Sequence, residues 1–243
     1  MVFFAGLPGV GKSLLLKECV GLARARGRRV HLLQWDVTRA AFETEELLRR
    51  YPETDGVTHP TIRRAVGLWA RGAVLRWHRS AAAAAVLIGE VPLVGNRLSE
   101  LVTSESDAAE ALLAGEQTLF MLPVPSLKLR RHIEAQREQS IAQPQHERER
   151  ADAPPNVLRA LWHTVYQKGV DLKLVEPDPH PPYDPEVYAG VYERLLRHRH
   201  SVTLRLNEQL APSGSVYAVG EVAELCATAT EVAANLRRAE QLR

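Results

Sequence analysis

Short apolar runs alternate with longer segments of helical periodicity along this chain. The apolar runs are four to eight residues long and rich in Val, Leu and Phe, as expected for strands buried on both faces. Between them, apolar residues recur three or four positions apart, which predicts amphipathic helices. This alternation favours an α/β fold in which a mostly parallel sheet lies between two layers of helices. The predicted strands, about five, are residues 2–5, 30–35, 84–90, 118–125 and 201–206.

Several predicted helices have recognisable starts and stops. Pro60 stands at the first position of a helix, where proline is accepted, and apolar residues follow it at helical spacing as far as Trp77. Residues 176–185 contain five prolines and therefore predict an irregular loop. Residues 126–143 predict a long polar helix, and 143–153 a charged, mobile segment with few apolar residues. The remaining predicted helices are 14–26, 38–50, one starting near 98, 106–114, 155–169, 186–199 and 221–242.

Composition narrows the class of protein. A chain of 243 residues, 45% hydrophobic, is long enough for one domain with its own core and a small insertion. The net charge of +2, from 31 basic and 29 acidic residues, disfavours a dedicated nucleic-acid binder but allows a local basic face. Cys19 and Cys226 both fall on predicted apolar helix stripes, and their spacing indicates neither a metal site nor a redox pair. We expect both to be buried free thiols.

The chain shows no membrane-spanning pattern. The apolar run 81–88 is much shorter than a span needs, and the glycine-rich stretch that begins at Gly6 leaves no room for a signal peptide before it. We therefore expect a cytoplasmic protein without a membrane partner.

The most informative stretch is residues 6–13, G-L-P-G-V-G-K-S, which fits the Walker A or P-loop pattern G-x-x-x-x-G-K-[ST]. It lies where a predicted strand turns into a predicted helix, so its backbone N–H groups can point at phosphate oxygens. The pattern predicts ATP as cofactor, with Lys12 reaching the β- and γ-phosphates and the Ser13 hydroxyl bound to Mg²⁺. The predicted nucleotide-binding residues are Gly6, Leu7, Pro8, Gly9, Val10, Gly11, Lys12, Ser13 and Leu14.

Three other segments converge on the same crevice in a parallel sheet, because ligands bind at the carboxyl ends of the strands. Asp36 follows the second predicted strand, Glu90 ends the third, and the polar helix begins after Pro125. We expect these segments to face the P-loop.

Some classes of P-loop protein are disfavoured by absent motifs. The strand ending in L-N-E-Q at 206–209 departs from the N-K-x-D sequence with which GTPases read guanine, and no L-S-G-G-Q-type signature of a transporter ATPase occurs. The chain is also short for a hexameric motor.

The layout resembles the small P-loop kinases: nucleoside and nucleotide kinases, adenylylsulfate kinase, chloramphenicol phosphotransferase and the zeta-toxin group. The resemblance implies that Asp36 faces the substrate hydroxyl and that Arg39 follows it as a substrate or phosphate ligand. It also implies that Glu90, where many members have Asp, contacts Mg²⁺, and that a lid at about 126–153 closes over ATP through Arg130 and Arg137. The chain would then be one kinase-like domain, 1–243.

Each candidate has a simpler alternative. Asp36 can act as a general base or as the N-cap of the next helix, and Arg39 can bind substrate or lie on a solvated helix face. Arg97 can meet an anionic substrate or form an ion pair with Glu100 or Glu105.

The remaining candidates have alternatives of the same kind. Arg130 and Arg137 share a helix face and can bind phosphate, but Arg130 can instead pair with Glu134. His59 can line the acceptor pocket or be an ordinary loop residue. The predicted substrate-binding set is Asp36, Arg39, His59, Glu90 and Arg97, and the predicted metal ligands are Ser13 and Glu90.

The sequence therefore predicts an ATP- and Mg²⁺-dependent phosphotransferase that acts on a hydroxyl of a small molecule. In this hypothesis Asp36 deprotonates the acceptor, while Lys12 and the lid arginines neutralise the moving phosphoryl group. The alternatives are a regulatory ATPase that signals through its lid and a polynucleotide end kinase, which the near-neutral charge disfavours. A homodimer is compatible with the sequence.

Overall fold

The computed structural model describes residues 1–54, 57–208 and 214–242 and has an α/β architecture. All pairings within its six-stranded sheet are parallel, in the order β5-β4-β1-β3-β2-β6. The predicted fold class, a P-loop-type parallel sheet between helices, is confirmed, with six strands in place of about five. The strands are β1 Val2–Ala5, β2 Arg29–Leu33, β3 Ala85–Val91, β4 Leu119–Pro125, β5 Ser201–Leu206 and β6 Ala223–Glu224.

Helices connect the strands and cover both faces of the sheet. Two 3₁₀ turns, Val94–Asn96 and Ser99–Leu101, follow β3, and a third, Glu147–Ala151, follows the long polar helix. Within the described residues, no helix combines the length and the apolarity needed to cross a membrane. The helices are α1 Lys12–Ala25, α2 Trp35–Ala40, α3 Glu45–Arg50, α4 Pro60–Ser80, α5 Glu110–Leu113, α6 Leu127–Ala142, α7 Pro155–Asp171, α8 Pro185–Leu195 and α9 Ala229–Gln241.

Alternate residues of the central strands enter two separate cores. Phe4 and Ile88 pack under α1, against Leu16, whereas the neighbouring residues Phe3 and Leu87 point into the larger core on the other face. That larger core is covered by α4, α8 and α9 among others. Because both faces of these strands are buried, their sequences read as continuous apolar runs.

The order of the strands brings the candidate residues together. β1 lies between β3 and β4, and Phe4 pairs in register with Glu90, one strand away. The amide of Gly6 donates to the carbonyl of Val91 at 3.2 Å, so the loop after β1 starts beside the end of β3. The P-loop, Glu90 and α6 consequently lie at the carboxyl edge of the sheet, as the sequence predicts.

The predicted boundary after β2 is wrong. β2 ends at Leu33, and Trp35 is the first residue of a helix rather than the last of a strand. The predicted helix 38–50 is two short helices, because the Thr44 hydroxyl accepts from the amide of Leu47 and starts α3 anew.

The predicted helix near Leu98 is also absent, since Leu93, Gly95, Asn96 and Leu98 all have positive φ. This left-handed backbone produces the two 3₁₀ turns in place of a continuous helix. Within the predicted helix 106–114, only the four residues of α5 are helical.

The C-terminal segment differs from the prediction as well. Its predicted helix 221–242 is the short edge strand β6 followed by α9, which starts at a capping box formed by Thr228 and Glu231. Cys226 therefore lies between β6 and α9 and is exposed, while Cys19 is half-buried, so the prediction of two buried thiols is wrong.

Glu100 provides a test of the packing behind the site. It lies in the turn Ser99–Leu101 against Gly67 of α4, and burial raises the pKa of its carboxyl to about 7, although Arg64 and Ser99 oppose the shift. A raised pKa means that this residue favours folding below pH 4.5 and that the benefit is lost as the pH rises towards 7.

We expect Glu100→Gln to raise the free energy of unfolding at pH 8 by about 1–3 kcal/mol, since the amide carries no charge to desolvate. At pH 4 the variant and the wild type should be equally stable. Urea unfolding at both pH values measures the difference, with the exposed Glu116→Gln as control. A variant that is less stable than the wild type at pH 8 would contradict the prediction.

Candidate active site

The P-loop has the backbone that its glycines predict. Gly6, Gly9 and Gly11 have φ of 139°, 75° and 92°, values that residues with a side chain rarely adopt. Gly11 is the N-cap of α1, so the first amides of that helix face the loop. At Gly6 a side chain is excluded by this positive φ and also by packing, because a methyl group there would overlap the Tyr188 hydroxyl. The loop is therefore open towards the cleft and supported from behind by α8.

Lys12 is the first residue of α1 and is 6% exposed. Its ammonium donates to the Leu7 carbonyl of the P-loop at 2.9 Å. Burial lowers the pKa of Lys12 to about 8, and Glu90 and Asp36 oppose the shift, while Arg137 reinforces it. A buried ammonium held by one carbonyl is incompletely compensated, so an anion bound in the loop would stabilise its charged form.

Ser13 and Glu90 form the candidate metal site. The Ser13 hydroxyl donates to Glu90 Oε2 at 3.3 Å, which places a hydroxyl and a carboxylate oxygen side by side next to Lys12. Burial raises the pKa of Glu90, and Lys12 opposes that shift. Among the described residues, no group of three or more His, Cys, Asp and Glu side chains could hold a metal ion. Mg²⁺ in nucleotide sites is commonly held by one or two protein oxygens with phosphate and water, so this pair fits it.

Two arginines of α6 converge on the P-loop. Arg130 is 2% exposed and donates to the Pro8 carbonyl at 2.9 Å, and its Nε pairs with Glu134 at 2.7 Å. A methyl group at Gly9 would lie 3.5 Å from Nη1 of Arg130 and 3.6 Å from Nη1 of Arg137. The Nη1 of Arg137 is buried and has no hydrogen-bond partner. The ion pair with Glu134 that the sequence offered as an alternative thus coexists with contact to the P-loop.

Arg137 is oriented by a residue that the sequence analysis missed. Its Nη2 pairs with Asp152 at 2.7 Å, and the Tyr217 hydroxyl donates to the same carboxylate oxygen. Asp152 thereby fixes one side of the guanidinium and leaves the other side directed at Gly9. Burial beside this carboxylate raises the pKa of Tyr217, which keeps its hydroxyl protonated as a donor.

The segment after α6 forms hydrogen bonds with residues at the opposite edge of the sheet. Arg148 donates to Gln34, the N-cap of α2, and pairs with Glu224 of β6, both at 3.0 Å. Glu149 accepts from the Ser215 hydroxyl at 2.6 Å. The segment predicted as mobile thus has a 3₁₀ turn and hydrogen bonds to three other parts of the chain.

The wall opposite α6 is formed by α2 and the loop after β3. Asp36 lies in the first turn of α2, with 72% of its side chain exposed, and pairs with Arg39 at 3.2 Å. Gln34, not Asp36, occupies the N-cap position, and no side-chain cap is formed there. The alternative role of Asp36 as a helix cap is therefore wrong, and its carboxylate faces the cleft. Arg39 also pairs with Glu43, so it is not simply a solvated helix residue.

Arg97 lies on this same wall. Its guanidinium lies over the Trp35 ring, 5.8 Å from the centroid, and its Nε is buried without a hydrogen-bond partner. Among the residues that the structure describes, no carboxylate forms an ion pair with it, so the predicted alternative of a pair with Glu100 or Glu105 is not observed. Burial lowers the pKa of Arg97, and the neighbouring charges of Arg39 and Arg63 add to the effect.

His59 lies outside the cleft, unlike the other predicted substrate-binding residues. It is the N-cap of α4, where its Nδ1 accepts from the amide of Thr61 at 3.2 Å, and its ring packs 5.3 Å from that of Tyr51. This capping role accounts for the histidine before Pro60, with no need for a part in binding an acceptor molecule.

Most of the other candidates line one cleft of about 1020 Å³, whereas Gly6, Leu7, Val10 and Arg130 are not among its lining residues. Its lining includes the P-loop, which follows β1, and Asp36 and Arg39, which follow β2 two strands further along the sheet, so these groups lie towards different ends of the cleft. Its side walls come from α6 and α7, with residues 214–217 closing the edge. The volume is at the upper limit for a single small ligand, so the cleft has room for a nucleotide and a second molecule.

Residues 215–217 carried little signal in the sequence. Ser215 and Tyr217 reach the cleft only because β6 and its preceding loop cross the top of α1, where Lys17 donates to the Ser215 carbonyl at 2.9 Å. No motif or periodicity marks them. Asp152, in contrast, lies within the predicted lid, and its role follows only from where α6 places Arg137.

Comparisons with known proteins add little to this geometry. No protein-family model matches the sequence, and no curated protein matches it. Among solved structures, the chain is similar to Kti12 of Chaetomium thermophilum, crystallised in complex with ADP-AlF3. That match covers 99% of this chain and 97% of the other, at 11% identity and a TM-score of 0.28. A TM-score this low does not establish a shared fold. The P-loop fold is therefore assigned from the chain's own parallel sheet and from the loop after β1.

Proposed function

We propose that this protein is an ATP- and Mg²⁺-dependent phosphotransferase that moves the γ-phosphate to a hydroxyl of a small molecule. The observation that carries the proposal is the two-ended cleft. At one end Arg130 and Arg137 converge on the P-loop, and at the other an exposed carboxylate, Asp36, stands beside cations and has no capping role. A nucleotide alone would leave the second end unused.

The residues at the P-loop end match the demands of phosphoryl transfer, which are mainly positioning and neutralisation of charge. Lys12 and the unpartnered Nη1 of Arg137 would donate to phosphate oxygens, and Arg130 would hold the loop through Pro8. Ser13 and Glu90 would hold Mg²⁺, which when bound shields the charge of the phosphates. Asp152 acts as the residue that positions Arg137.

Asp36 is the candidate general base. A carboxylate in this role must reach the acceptor hydroxyl, orient it and accept its proton. Asp36 is solvent-exposed within the cleft and is fixed by a single ion pair with Arg39. Its side chain is therefore available to an acceptor that enters from solvent.

We further propose that α6 and the turn after it form the lid of a single kinase-like domain spanning 1–243. The contacts of Arg148 with Gln34 and Glu224 link this lid to the edge of the sheet. The same contacts favour a second candidate function, a regulatory ATPase, since nucleotide-dependent movement of the lid would be passed to β6 and the C-terminal segment.

A screen of acceptors separates these functions. The protein would be incubated with ATP and Mg²⁺ and with nucleosides, sugars, amino alcohols, antibiotics and a 5′-hydroxyl oligonucleotide, and products would be analysed by mass spectrometry. We expect a small-molecule product heavier by one phosphoryl group. Release of inorganic phosphate with no phosphorylated product from any acceptor would favour the regulatory ATPase, and labelling of the oligonucleotide alone would favour an end kinase.

A further inference from the structure

Two guanidinium groups, that of Arg97 lining the cleft and that of Arg63 near it, have unsatisfied donors. Arg97 and Arg63 each have a buried Nε with no hydrogen-bond partner, and in the described part of the chain neither forms an ion pair with a carboxylate. Arg63 donates from its Nη1 to the Gly95 carbonyl, in the turn that precedes Arg97. Burying a charged donor without an acceptor is costly, so such groups in folded proteins usually meet a partner.

The nearby carboxylates do not supply that partner. Glu43 accepts from the Thr58 hydroxyl at 2.9 Å and pairs with Arg39 at 3.3 Å. Asp36 pairs with Arg39 at 3.2 Å. Arg39, Arg63 and Arg97 together thus carry three positive charges against the two carboxylates, both of which pair with Arg39, so this wall has one positive charge in excess.

The exposed side of this excess charge is directed at the cleft. Arg97 and Arg39 line it, whereas Arg63 is not among the lining residues. Trp35, 3% exposed, holds the guanidinium of Arg97 from below. Burial and the like charges of Arg39 and Arg63 disfavour the charged form of Arg97, although Asp36 and Glu43 oppose the effect, and a bound anion would favour the charged form further.

We infer that the acceptor is an organic anion, a hydroxyl compound that also carries a carboxylate or phosphate group. Arg97 binds the anionic group, Arg63 adds its charge from behind, and the hydroxyl then lies towards Asp36. A planar guanidinium suits either oxyanion, because it offers parallel N–H donors to two oxygens. The placement of the acceptor hydroxyl towards Asp36 rests on the proposed phosphotransferase function, but the anion site at Arg97 can be tested without turnover.

The binding arm uses inorganic phosphate as the probe. The P-loop is first filled with the non-hydrolysable analogue AMP-PNP and Mg²⁺, and phosphate is then titrated by calorimetry and by tryptophan fluorescence, since Trp35 contacts Arg97. We expect saturable binding, with a dissociation constant at least about tenfold higher in Arg97→Gln, as for loss of a charged hydrogen bond. The matched control is Arg64→Gln, an exposed residue next to Arg63, which should bind phosphate like the wild type.

The turnover arm uses acceptor pairs that differ only in the anion: glycerol with glycerol 3-phosphate, and ribose with ribose 5-phosphate. We expect the charged member of a pair to be preferred by at least about tenfold in kcat/KM, and Arg97→Gln to remove most of that preference. A preference for the phosphorylated acceptor shows that the site binds a phosphate group of the acceptor itself. Inhibition of neutral acceptors by free phosphate alone would instead indicate a site for a separate inorganic ion.

The outcomes separate the two proposals. Arg97-dependent phosphate binding without any phosphorylated product would support the anion site and contradict the phosphotransferase function. Transfer to neutral acceptors as good as to charged ones would support the function and overturn the inference. Equal phosphate affinity in Arg97→Gln, Arg64→Gln and the wild type would overturn the inference as well, provided that thermal melting shows all three to be folded.

Discussion

Replacing Lys12 with alanine is expected to reduce ATP-dependent turnover by at least about 100-fold, the cost typical of removing one preorganised charge from a transfer site. The ammonium lies inside the P-loop, bonded to the Leu7 carbonyl at 2.9 Å, and no other lysine lines the cleft among the described residues. Arg130 and Arg137 approach from α6, where Arg130 is held by the Pro8 carbonyl and Glu134 and Arg137 by Asp152.

The same substitution should leave the fold intact. Lys12 is 6% exposed, and burial lowers its pKa to about 8, so its charged form contributes little to stability before an anion binds. We expect the melting temperature of Lys12→Ala to be equal to or higher than that of the wild type. ATP affinity is measured by calorimetry with Mg²⁺, turnover by product formation, and stability by thermal melting.

Lys128→Ala is the matched control for Lys12. Lys128 is an exposed lysine near the start of α6, so its loss changes the net charge equally without touching the P-loop. Wild-type turnover in Lys12→Ala would contradict the assignment of the loop as a triphosphate site. An unfolded Lys12→Ala variant would contradict the account of its buried ammonium.

The P-loop end of the site could be predicted because its geometry is local. The three glycines, the strand before them and the helix after them lie within some twenty residues, and each glycine is needed for a positive φ. β1 and β5 are observed with the predicted bounds: β1 is a continuous apolar run buried in the parallel sheet, whereas β5 is a partly exposed edge strand. The placement of Glu90 next to the loop then follows from the adjacency of β1 and β3.

The acceptor end was less predictable, because distant contacts decide its geometry. The backbone between β3 and α5 has three non-glycine residues with positive φ, a conformation that no residue pattern in the segment demands. This backbone sets the position of Arg97 over Trp35. β6 has only two residues, too few to show a period, and exists because it pairs with β2. The position of Tyr217 above Asp152 depends on that pairing in turn.

Asp36 shows how one residue's role depends on a boundary. A strand that ends at Trp35 makes Asp36 a candidate N-cap, whereas the observed helix α2 begins at Trp35 and makes Gln34 the N-cap. In the first turn, the carboxylate gains a modest interaction with the helix dipole, about 0.3–1 kcal/mol, and an exposed ion pair adds about as little. Structural reasons alone therefore give Asp36 only a small share of the stability.

Asp36→Asn is expected to lower turnover with acceptor by about 100-fold or more, the scale of a positioned general base, while nucleotide affinity changes little. The amide keeps the shape of the side chain and removes both its charge and its ability to accept the proton. Thermal melting should change little. Glu45→Gln is the matched control, since Glu45 also lies in a helix first turn and pairs with an arginine at 3.7 Å, but it does not line the cleft.

Glu90→Gln should behave differently from Asp36→Asn, and the comparison tests which step each carboxylate serves. Glu90 accepts from Ser13 and interacts electrostatically with Lys12 at the P-loop end, so its loss should raise the Mg²⁺ concentration needed for half-maximal activity as well as lower turnover. Asp36→Asn should leave that concentration unchanged, because Asp36 lies at the end of the cleft proposed for the acceptor. ATP hydrolysis without acceptor should likewise survive in Asp36→Asn. If Asp36→Asn instead keeps full transfer activity, the proposed mechanism has no base, and a regulatory ATPase becomes the better description of this cleft.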